Sequence, residues 1–145
     1  MYNKNYYSES KKSLKGEDMK KLHTDKAPEA IGPYSQAVIS GNLLFTSGQV
    51  ALDPDSGDIV GNDINTQTVQ VMENLGAILK EAGLGFDNVV KTTCFLADMD
   101  DFAVFNSIYG KYFSSKPARS CVAVKTLPKN LLVEVEAIAE IKGEQ

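Results

Sequence analysis

The spacing of apolar positions along the chain predicts two helices. Between residues 64 and 82, apolar side chains recur every three or four residues, which is typical of a helix with one buried face. Asp63 is expected to cap its start, and Gly83 to end it. A second helix is predicted over about residues 100–113. The expected core positions are Ile64, Thr68, Val71, Met72, Leu75, Ile78, Leu79 and Ala82 in the first helix, and Phe102, Phe105, Ile108, Tyr109 and Tyr112 in the second.

Shorter segments with apolar alternation predict the strands. A first strand starts at Lys20, and residues 35–40 and 43–47 form a hairpin around a two-residue Gly-Asn turn. A fourth strand covers 89–96, with Val90, Thr92, Cys94 and Leu96 on one face. The last two strands, about 119–126 and 132–141, are joined by a short link. The order βββαβαββ predicts an α+β fold with a mixed sheet and two helices on one face.

Two helices leave the second face of the sheet uncovered. We expect the helix-covered face to take the β-branched residues of the last two strands, and their charged or thiol neighbours to point the other way. The uncovered face, partly apolar, is predicted to pack against other copies of the chain. The first set is Val122, Val124, Val133 and Val135; the second is Arg119, Cys121, Glu134 and Glu136.

The short link between the last two strands predicts that they pair directly. Arg119 would then lie opposite about Ile138, roughly 13 Å along the strand from Glu134. Side chains this far apart on one face do not touch within one chain. A pocket that holds both is therefore best built at a boundary between subunits.

Composition bounds the class of protein. The 145 residues predict one domain over 19–145, preceded by a flexible, polar extension over 1–18 that has no signal-like apolar region. No apolar run approaches the length of a membrane span, and Cys94 and Cys121 are expected to be reduced thiols, so we predict a soluble cytoplasmic protein. The net charge of −4 predicts no general attraction to nucleic acid, and a single histidine predicts no histidine-rich metal site.

Arg119 is the only arginine in the chain; the other fourteen basic residues are lysines. A guanidinium can grip a carboxylate through two parallel hydrogen bonds, which an ammonium cannot do. Glu134 places a carboxylate within an apolar strand. Together they indicate an anion clamp beside a carboxylate. The alternative is an arginine that lies solvated on the surface at the start of a strand.

Four motifs then resemble the RidA/YjgF family: Ala-Ile-Gly-Pro-Tyr-Ser-Gln at 30–36, Thr-Ser-Gly-Gln at 46–49, Pro-Ala-Arg-Ser-Cys-Val at 117–122 and Val-Glu-Val-Glu-Ala-Ile-Ala at 133–139. The likeness spans about residues 20–142. It implies a chorismate-mutase-like fold, a homotrimer with an inner barrel and three clefts between subunits, and no cofactor or metal. It also implies hydrolysis of 2-imino acids, derived from the enamines 2-aminoacrylate and 2-aminocrotonate, to 2-keto acids and ammonia.

The resemblance also implies roles for individual residues. Arg119 falls on the family's carboxylate-binding arginine, Glu134 on its water-handling glutamate and Cys121 on its pocket cysteine. We expect Cys121 to be a wall of the pocket rather than a nucleophile, because no base or second cation adjoins it in sequence. The remaining pocket positions match Tyr34, Ser47, Gly48 and Asn106. For Tyr34 plain loop packing is the alternative, and for Asn106 a place on the helix surface.

Two other functions remain open from the sequence. Some relatives are described as endoribonucleases that act on single-stranded RNA, but this chain lacks a basic track and a pair of histidines. The second open function is that of a non-catalytic regulatory trimer that binds 2-keto acids. Such a sensor would require Arg119 but not Glu134. The link between the second helix and Pro117 is shorter than in some members of the family, so the preference for one substrate side chain stays open.

Overall fold

The computed structural model describes residues 19–142, and in this part of the chain two α-helices pack on one six-stranded sheet. The helices are α1 (Ile64–Glu81) and α2 (Phe102–Tyr112); the strands are β1 (Lys20–Leu22), β2 (Ala37–Ser40), β3 (Leu43–Thr46), β4 (Val89–Leu96), β5 (Ala118–Ala123) and β6 (Val133–Glu140). Their order in the sheet is β1-β2-β3-β6-β4-β5. Only β4 and β5 are parallel; the other pairs are antiparallel. The predicted α+β fold is confirmed, whereas the expectation for residues 1–18 lies outside the described residues.

Local signals set the ends of these elements. The Asp63 carboxylate accepts a hydrogen bond from the Thr66 amide at 2.8 Å and so caps α1. Gly83 follows the helix with φ +74°, a left-handed conformation that glycine adopts without steric strain. The predicted hairpin is also present, with Ser40 paired to Leu43 across the two-residue turn.

The core lies between the helices and one face of the sheet. Val71, Leu75 and Ile78 of α1 are fully buried there, as are Val133 and Val135 of β6. The predicted apolar stripe of α1 is confirmed in its central part.

Two buried polar residues of α1 were not on the predicted stripe. Gln67 accepts a hydrogen bond from the Leu132 amide at 2.8 Å, and Asn74 donates to the carbonyls of Val50 and Leu52 at 3.1 and 3.0 Å. A buried amide side chain must be hydrogen-bonded to be tolerated. These contacts therefore fix α1 to the loop after β3 and to the start of β6.

The predicted pairing of the last two strands is wrong, because β4 lies between them. Arg119 pairs with Thr92 of β4, not with Ile138, and Glu134 pairs with Phe95 on the other side of β4. The link from β5 to β6 crosses the end of β4: the Val124 amide donates to the Leu96 carbonyl, and the Ala97 amide to the Leu132 carbonyl. A short link here spans a strand rather than closing a hairpin.

The predicted distribution of side chains between the two faces is wrong for β5 and right for β6. Directly paired residues share a face of the sheet. Cys121 pairs with the buried Cys94, so Arg119 and Cys121 point toward the helices. Val122 pairs with Phe95 on the open face and is 46% exposed, and Val124 lies beyond the end of the strand.

The open face has apolar and charged positions side by side. Glu134 and Glu136 lie on it as predicted, opposite the buried Val133 and Val135. The apolar side chains on this face include Val38, Leu43, Phe45, Phe95, Val122 and Ile138. In the described part of the chain, no helix has the length and apolar character needed to span a membrane.

The alternation predicted for the start of β4 is interrupted. A register shift between Val89 and Lys91 leaves Val89 buried and Val90 42% exposed. A bulge of this kind inserts one residue and reverses the inward and outward positions before it. The shared face predicted for Thr92, Cys94 and Leu96 is confirmed and is the buried one, whereas Val90 does not lie on it.

Candidate active site

The first group of predicted site residues surrounds Arg119. Its guanidinium donates a hydrogen bond from Nη1 to Asn106 Oδ1 at 2.7 Å. The guanidinium carbon lies 4.7 Å from the ring centre of Tyr109 and 5.5 Å from that of Phe102. Because an arginine has five N–H donors, the bond to Asn106 leaves others for a ligand. The end of the side chain is thus held against α2 with donors still available.

Tyr109 was predicted only as a core residue, yet it supports this guanidinium. Its hydroxyl forms a hydrogen bond of 2.7 Å with Thr92 Oγ1. Burial is the main cause of a raised pKa for Tyr109, so the phenol is neutral at physiological pH. Asn106 and Tyr109 are three residues apart on one helix face, and that spacing was the signal available in the sequence.

A cavity of about 370 Å³ opens beside this group. Its walls include Asn106, Tyr109, Lys116, Pro117 and Arg119, and no residue that lines it is acidic. Within residues 19–142, Arg119 has no carboxylate within ion-pair distance. A cationic cavity without an internal counter-ion is suited to a small anion.

A larger cavity, of about 650 Å³, lies between α1 and residues 24–26. It holds cations and acids together, Lys26 and Lys80 with Glu73 and Glu81, and none of the predicted site residues. Its charges balance within the chain, so the smaller, cationic cavity is the better candidate for an anionic ligand.

The second group surrounds Glu134. A Cβ atom added to Gly48 would lie 2.8 Å from the carboxyl carbon of Glu134, closer than such atoms approach. The carboxylate therefore lies directly over the Gly48 backbone, and any side chain at position 48 would have to displace the Glu134 side chain. Within residues 19–142, the Gly48 amide donates to no protein acceptor. Gly48 thus offers an N–H beside a carboxylate.

Ser47 and Tyr34 flank this group. The Ser47 hydroxyl donates to the Ser35 carbonyl at 2.5 Å, so in this arrangement its hydrogen is already used. Tyr34 is 54% exposed and lines a small cavity of about 50 Å³ together with Gly48. Tyr34 therefore borders the group around Gly48.

The electrostatic environment of Glu134 favours a proton-transfer role. Burial is the larger cause of its raised pKa, and the negative charge of Glu136, two residues along the same face, raises it further. A carboxyl whose pKa moves toward neutrality accepts and releases protons more readily at physiological pH.

Cys121 lies on the same face of β5 as Arg119 and is half-buried. Burial raises the pKa of its thiol, and the positive charge of Arg119 opposes this only in part. A neutral thiol is a poor nucleophile. The environment thus suits Cys121 to lining the site.

The two groups do not meet within one chain. Arg119 on β5 and Glu134 on β6 are two strand spacings apart across the sheet, with β4 between them, and three residues apart along the strands. Their Cα atoms are therefore about 14 Å apart. The two side chains also point from opposite faces of the sheet. Within one chain the two groups therefore form separate surfaces.

Comparisons with known proteins agree on one family. The family model described as endoribonuclease L-PSP matches residues 24–141. A Lactococcus lactis protein, AldR, described as a regulator, is 57% identical over 126 residues, which is 86% of this chain and 100% of that protein. A mouse 2-iminobutanoate/2-iminopropanoate deaminase is 53% identical over 121 residues, 83% of this chain and 90% of its own length.

The chain is also similar to a solved structure, that of Escherichia coli TdcF with bound serine. The two have a TM-score of 0.81 and 42% sequence identity, and the match covers 85% of this chain and 99% of the TdcF chain. The family match over residues 24–141 includes both groups of candidate residues.

Proposed function

This chain belongs to the endoribonuclease L-PSP family, also known as RidA/YjgF, and from that premise we propose that it hydrolyses 2-imino acids to 2-keto acids and ammonia. The observation that carries the proposal is the Arg119 guanidinium, which lies in a cavity without acidic residues and is oriented by Asn106. The mouse relative described as an imine deaminase supports the reaction type.

In the proposed complex, the carboxylate of the imino acid binds to the donors of Arg119 that Asn106 leaves free. Two parallel N–H···O bonds fix both the position and the plane of the carboxylate. The unpartnered N–H of Gly48 supplies a further donor from the second half of the site. The imine carbon, next to the carboxylate, is then held in one orientation for attack by water.

The reaction needs water and a proton carrier. Enamines such as 2-aminoacrylate and 2-aminocrotonate first tautomerise to imines, which have an electrophilic carbon. Glu134 accepts a proton from the attacking water as its oxygen bonds to that carbon, and the C=N π bond shifts to nitrogen. That proton then passes to the nitrogen and gives a carbinolamine. The hydroxyl of the carbinolamine loses its proton to Glu134, which delivers it to the nitrogen; the C–N bond breaks as the C=O bond forms, ammonia leaves and a keto acid remains. No electron transfer occurs.

A complete site requires a second copy, because the two halves do not meet in one chain. We infer a homotrimer in which the open sheet faces pack inward as a barrel and each cleft joins Arg119 of one copy to Glu134 of another. Phe45 and Val122 are more than one third exposed on that face, and covering them would remove apolar area from water.

Subunit mixing tests this arrangement. Arg119→Ala and Glu134→Gln should each inactivate the protein, but refolding an equal mixture of the two variants should restore about a quarter of the sites. In a mixed trimer, one copy supplies the intact arginine and its neighbour supplies the intact glutamate. Activity would be measured after confirming a trimeric mass by light scattering. A mixture as inactive as its parents would show that both groups of a site come from one copy.

The pH profile tests the role of Glu134. If its ionised form is the base, kcat/KM should fall as the pH drops through a pKa above the usual value for glutamate. Glu136→Gln removes a neighbouring negative charge, which lowers the pKa of Glu134 and moves this acid limb to lower pH. The matched control is Glu140→Gln on the same strand. Glu140 lies about 20 Å along the strand from Glu134, where screening makes the effect of its charge on the pKa of Glu134 negligible. An acid limb that stays in place in Glu136→Gln would contradict the assignment.

The activity itself is tested with imines made in situ. A serine or threonine dehydratase releases 2-aminoacrylate or 2-aminocrotonate, and formation of pyruvate or 2-oxobutanoate is followed with and without the protein. We expect a faster release of keto acid that increases with protein concentration. An unchanged rate at every protein concentration would rule out the deaminase proposal.

The description of AldR as a regulator keeps a second candidate function in view. A sensor of 2-keto acids would use the Arg119 cavity to bind its ligand but would not need a proton carrier. Loss of turnover in Glu134→Gln separates the two, because a sensor has no turnover to lose. Incubation with single-stranded RNA tests the nuclease activity named in the family's description.

A further inference from the structure

A second cation lines the cavity of Arg119. Lys116 is exposed and shares that cavity with Arg119, Asn106 and Tyr109. It was not among the site residues expected from the sequence. Because it belongs to the short link between α2 and β5, its position follows from how that link is built.

The backbone holds Lys116 at the rim of the cavity. Phe113 closes α2 by donating its amide to the Tyr109 carbonyl at 2.9 Å, and the Lys116 amide donates back to the Phe113 carbonyl at 3.1 Å. Lys116 has φ +58°, and Pro117, whose own φ is restricted, follows it. Two hydrogen-bonded turns and a proline thus leave few ways to move Lys116 away from the cavity.

The spacing of the two cations suits a ligand with two anionic groups. Lys116 and Arg119 are three positions apart in the sequence, so their Cα atoms are at most about 11 Å apart. Both side chains are long, and no acid lines the cavity to neutralise either of them. A ligand that has one carboxylate on Arg119 can therefore place a second carboxylate, two or three carbons away, against Lys116.

We propose that this site prefers 2-imino acids whose side chain ends in a second carboxylate, such as 2-iminosuccinate and 2-iminoglutarate, over those with a neutral side chain, and that Lys116 determines this preference. The inference rests on the proposed function for its chemistry. It goes beyond that function in naming the substrate class. An imine with a short neutral side chain would still bind through Arg119 but would leave Lys116 unpaired.

The test compares charge changes at Lys116 with the same changes at a matched lysine. The variants are Lys116→Gln and Lys116→Glu; the controls are Lys129→Gln and Lys129→Glu. Lys129 is also exposed and has φ +56°, so the backbone penalty of each substitution is matched, but it does not line the cavity. Amino-acid oxidases generate 2-iminosuccinate from aspartate and 2-iminopropanoate from alanine, and coupled dehydrogenases report oxaloacetate and pyruvate.

The expected result is a change in the ratio of kcat/KM values for the two substrates. Wild-type protein should prefer 2-iminosuccinate, Lys116→Gln should lower that ratio about three- to tenfold, and Lys116→Glu should lower it further. High salt should reduce the wild-type preference, since a rim charge is screened. Ratios that are equal in wild type, Lys116→Gln and Lys116→Glu would overturn the proposal.

A binding measurement separates this proposal from the function on which it rests. The dissociation constants of 2-oxoglutarate and 2-oxobutanoate are measured by calorimetry for the same five proteins. If no imine is hydrolysed, the proposed function fails, and the specificity of Lys116 is judged on binding alone. Tighter binding of 2-oxoglutarate that weakens only in the Lys116 variants supports the specificity, and equal binding of both keto acids refutes it.

Discussion

Replacement of Arg119 by lysine should lower kcat/KM for 2-iminobutanoate by about 100-fold, although the charge of the side chain is kept. The lysine ammonium cannot form two parallel bonds to one carboxylate, and its shorter hydrogen-bonding reach separates it from Asn106. Losing one charge-assisted hydrogen bond and the alignment of the carboxylate costs about 2–3 kcal/mol. The measurement is the initial rate of keto-acid formation over a range of imine concentrations.

A substrate without a carboxylate provides the control for this variant. If Arg119 acts by binding the carboxylate, wild type and Arg119→Lys should hydrolyse 2-iminobutanamide at nearly equal, low rates. A folding defect in Arg119→Lys would lower its rates on 2-iminobutanoate and on 2-iminobutanamide together. A trimeric mass and an unchanged melting temperature would exclude such a defect independently. Wild-type kcat/KM for 2-iminobutanoate in Arg119→Lys would remove the carboxylate role.

Much of the fold was predictable because its signals are local. The cap at Asp63, the left-handed Gly83 and the two-residue hairpin turn each depend on a few neighbouring residues, and each is found where expected. Strand pairing is not local in this sense. The alternation in β5 and β6 is equally compatible with a hairpin and with two strands separated by a third.

The error over β5 has an identifiable physical cause. Val122 was assigned to the helix-covered face because it is apolar, and Arg119 to the open face because it is charged. The structure reverses both: α2 gives Arg119 an amide and an aromatic ring to contact, and Val122 lies on the open face. Polarity alone does not separate two faces when one contains a polar cavity and the other is partly apolar.

The contacts among the candidate site residues were not predictable from the sequence. Arg119 and Asn106 are hydrogen-bonded, and Gly48 and Glu134 are in close approach, although neither pair is adjacent in sequence. Tyr109 was missed because a single sequence does not show which core aromatic ring contacts a cation. Lys116 was missed because a single sequence does not show which cavity the residues of a short link border. The conclusion that one chain does not join Arg119 to Glu134 stands, but for a different reason: they lie on opposite faces.

Replacement of Glu134 by glutamine should reduce kcat by about 1000-fold while the dissociation constant for 2-oxobutanoate stays within about twofold of wild type. Glutamine has nearly the same shape, so it still fits over Gly48, but it cannot accept a proton from water. The measurement pairs the turnover rate with calorimetric binding of the keto acid. Glu136→Gln serves as the matched control, because it removes an equal charge from the same face of β6 and should preserve turnover at neutral pH.

Arg119→Lys and Glu134→Gln are expected to fail in different ways, and that difference separates ligand binding from proton transfer. Arg119→Lys weakens binding of every 2-keto acid, whereas Glu134→Gln binds the ligand and does not convert it. Under the proposed function, the Arg119 clamp and the Glu134 proton carrier lie on opposite faces of one sheet and would act together only when a second copy brings them to the same ligand. Full turnover in Glu134→Gln would therefore remove this carboxylate from the mechanism, although the protein would still be an imine hydrolase.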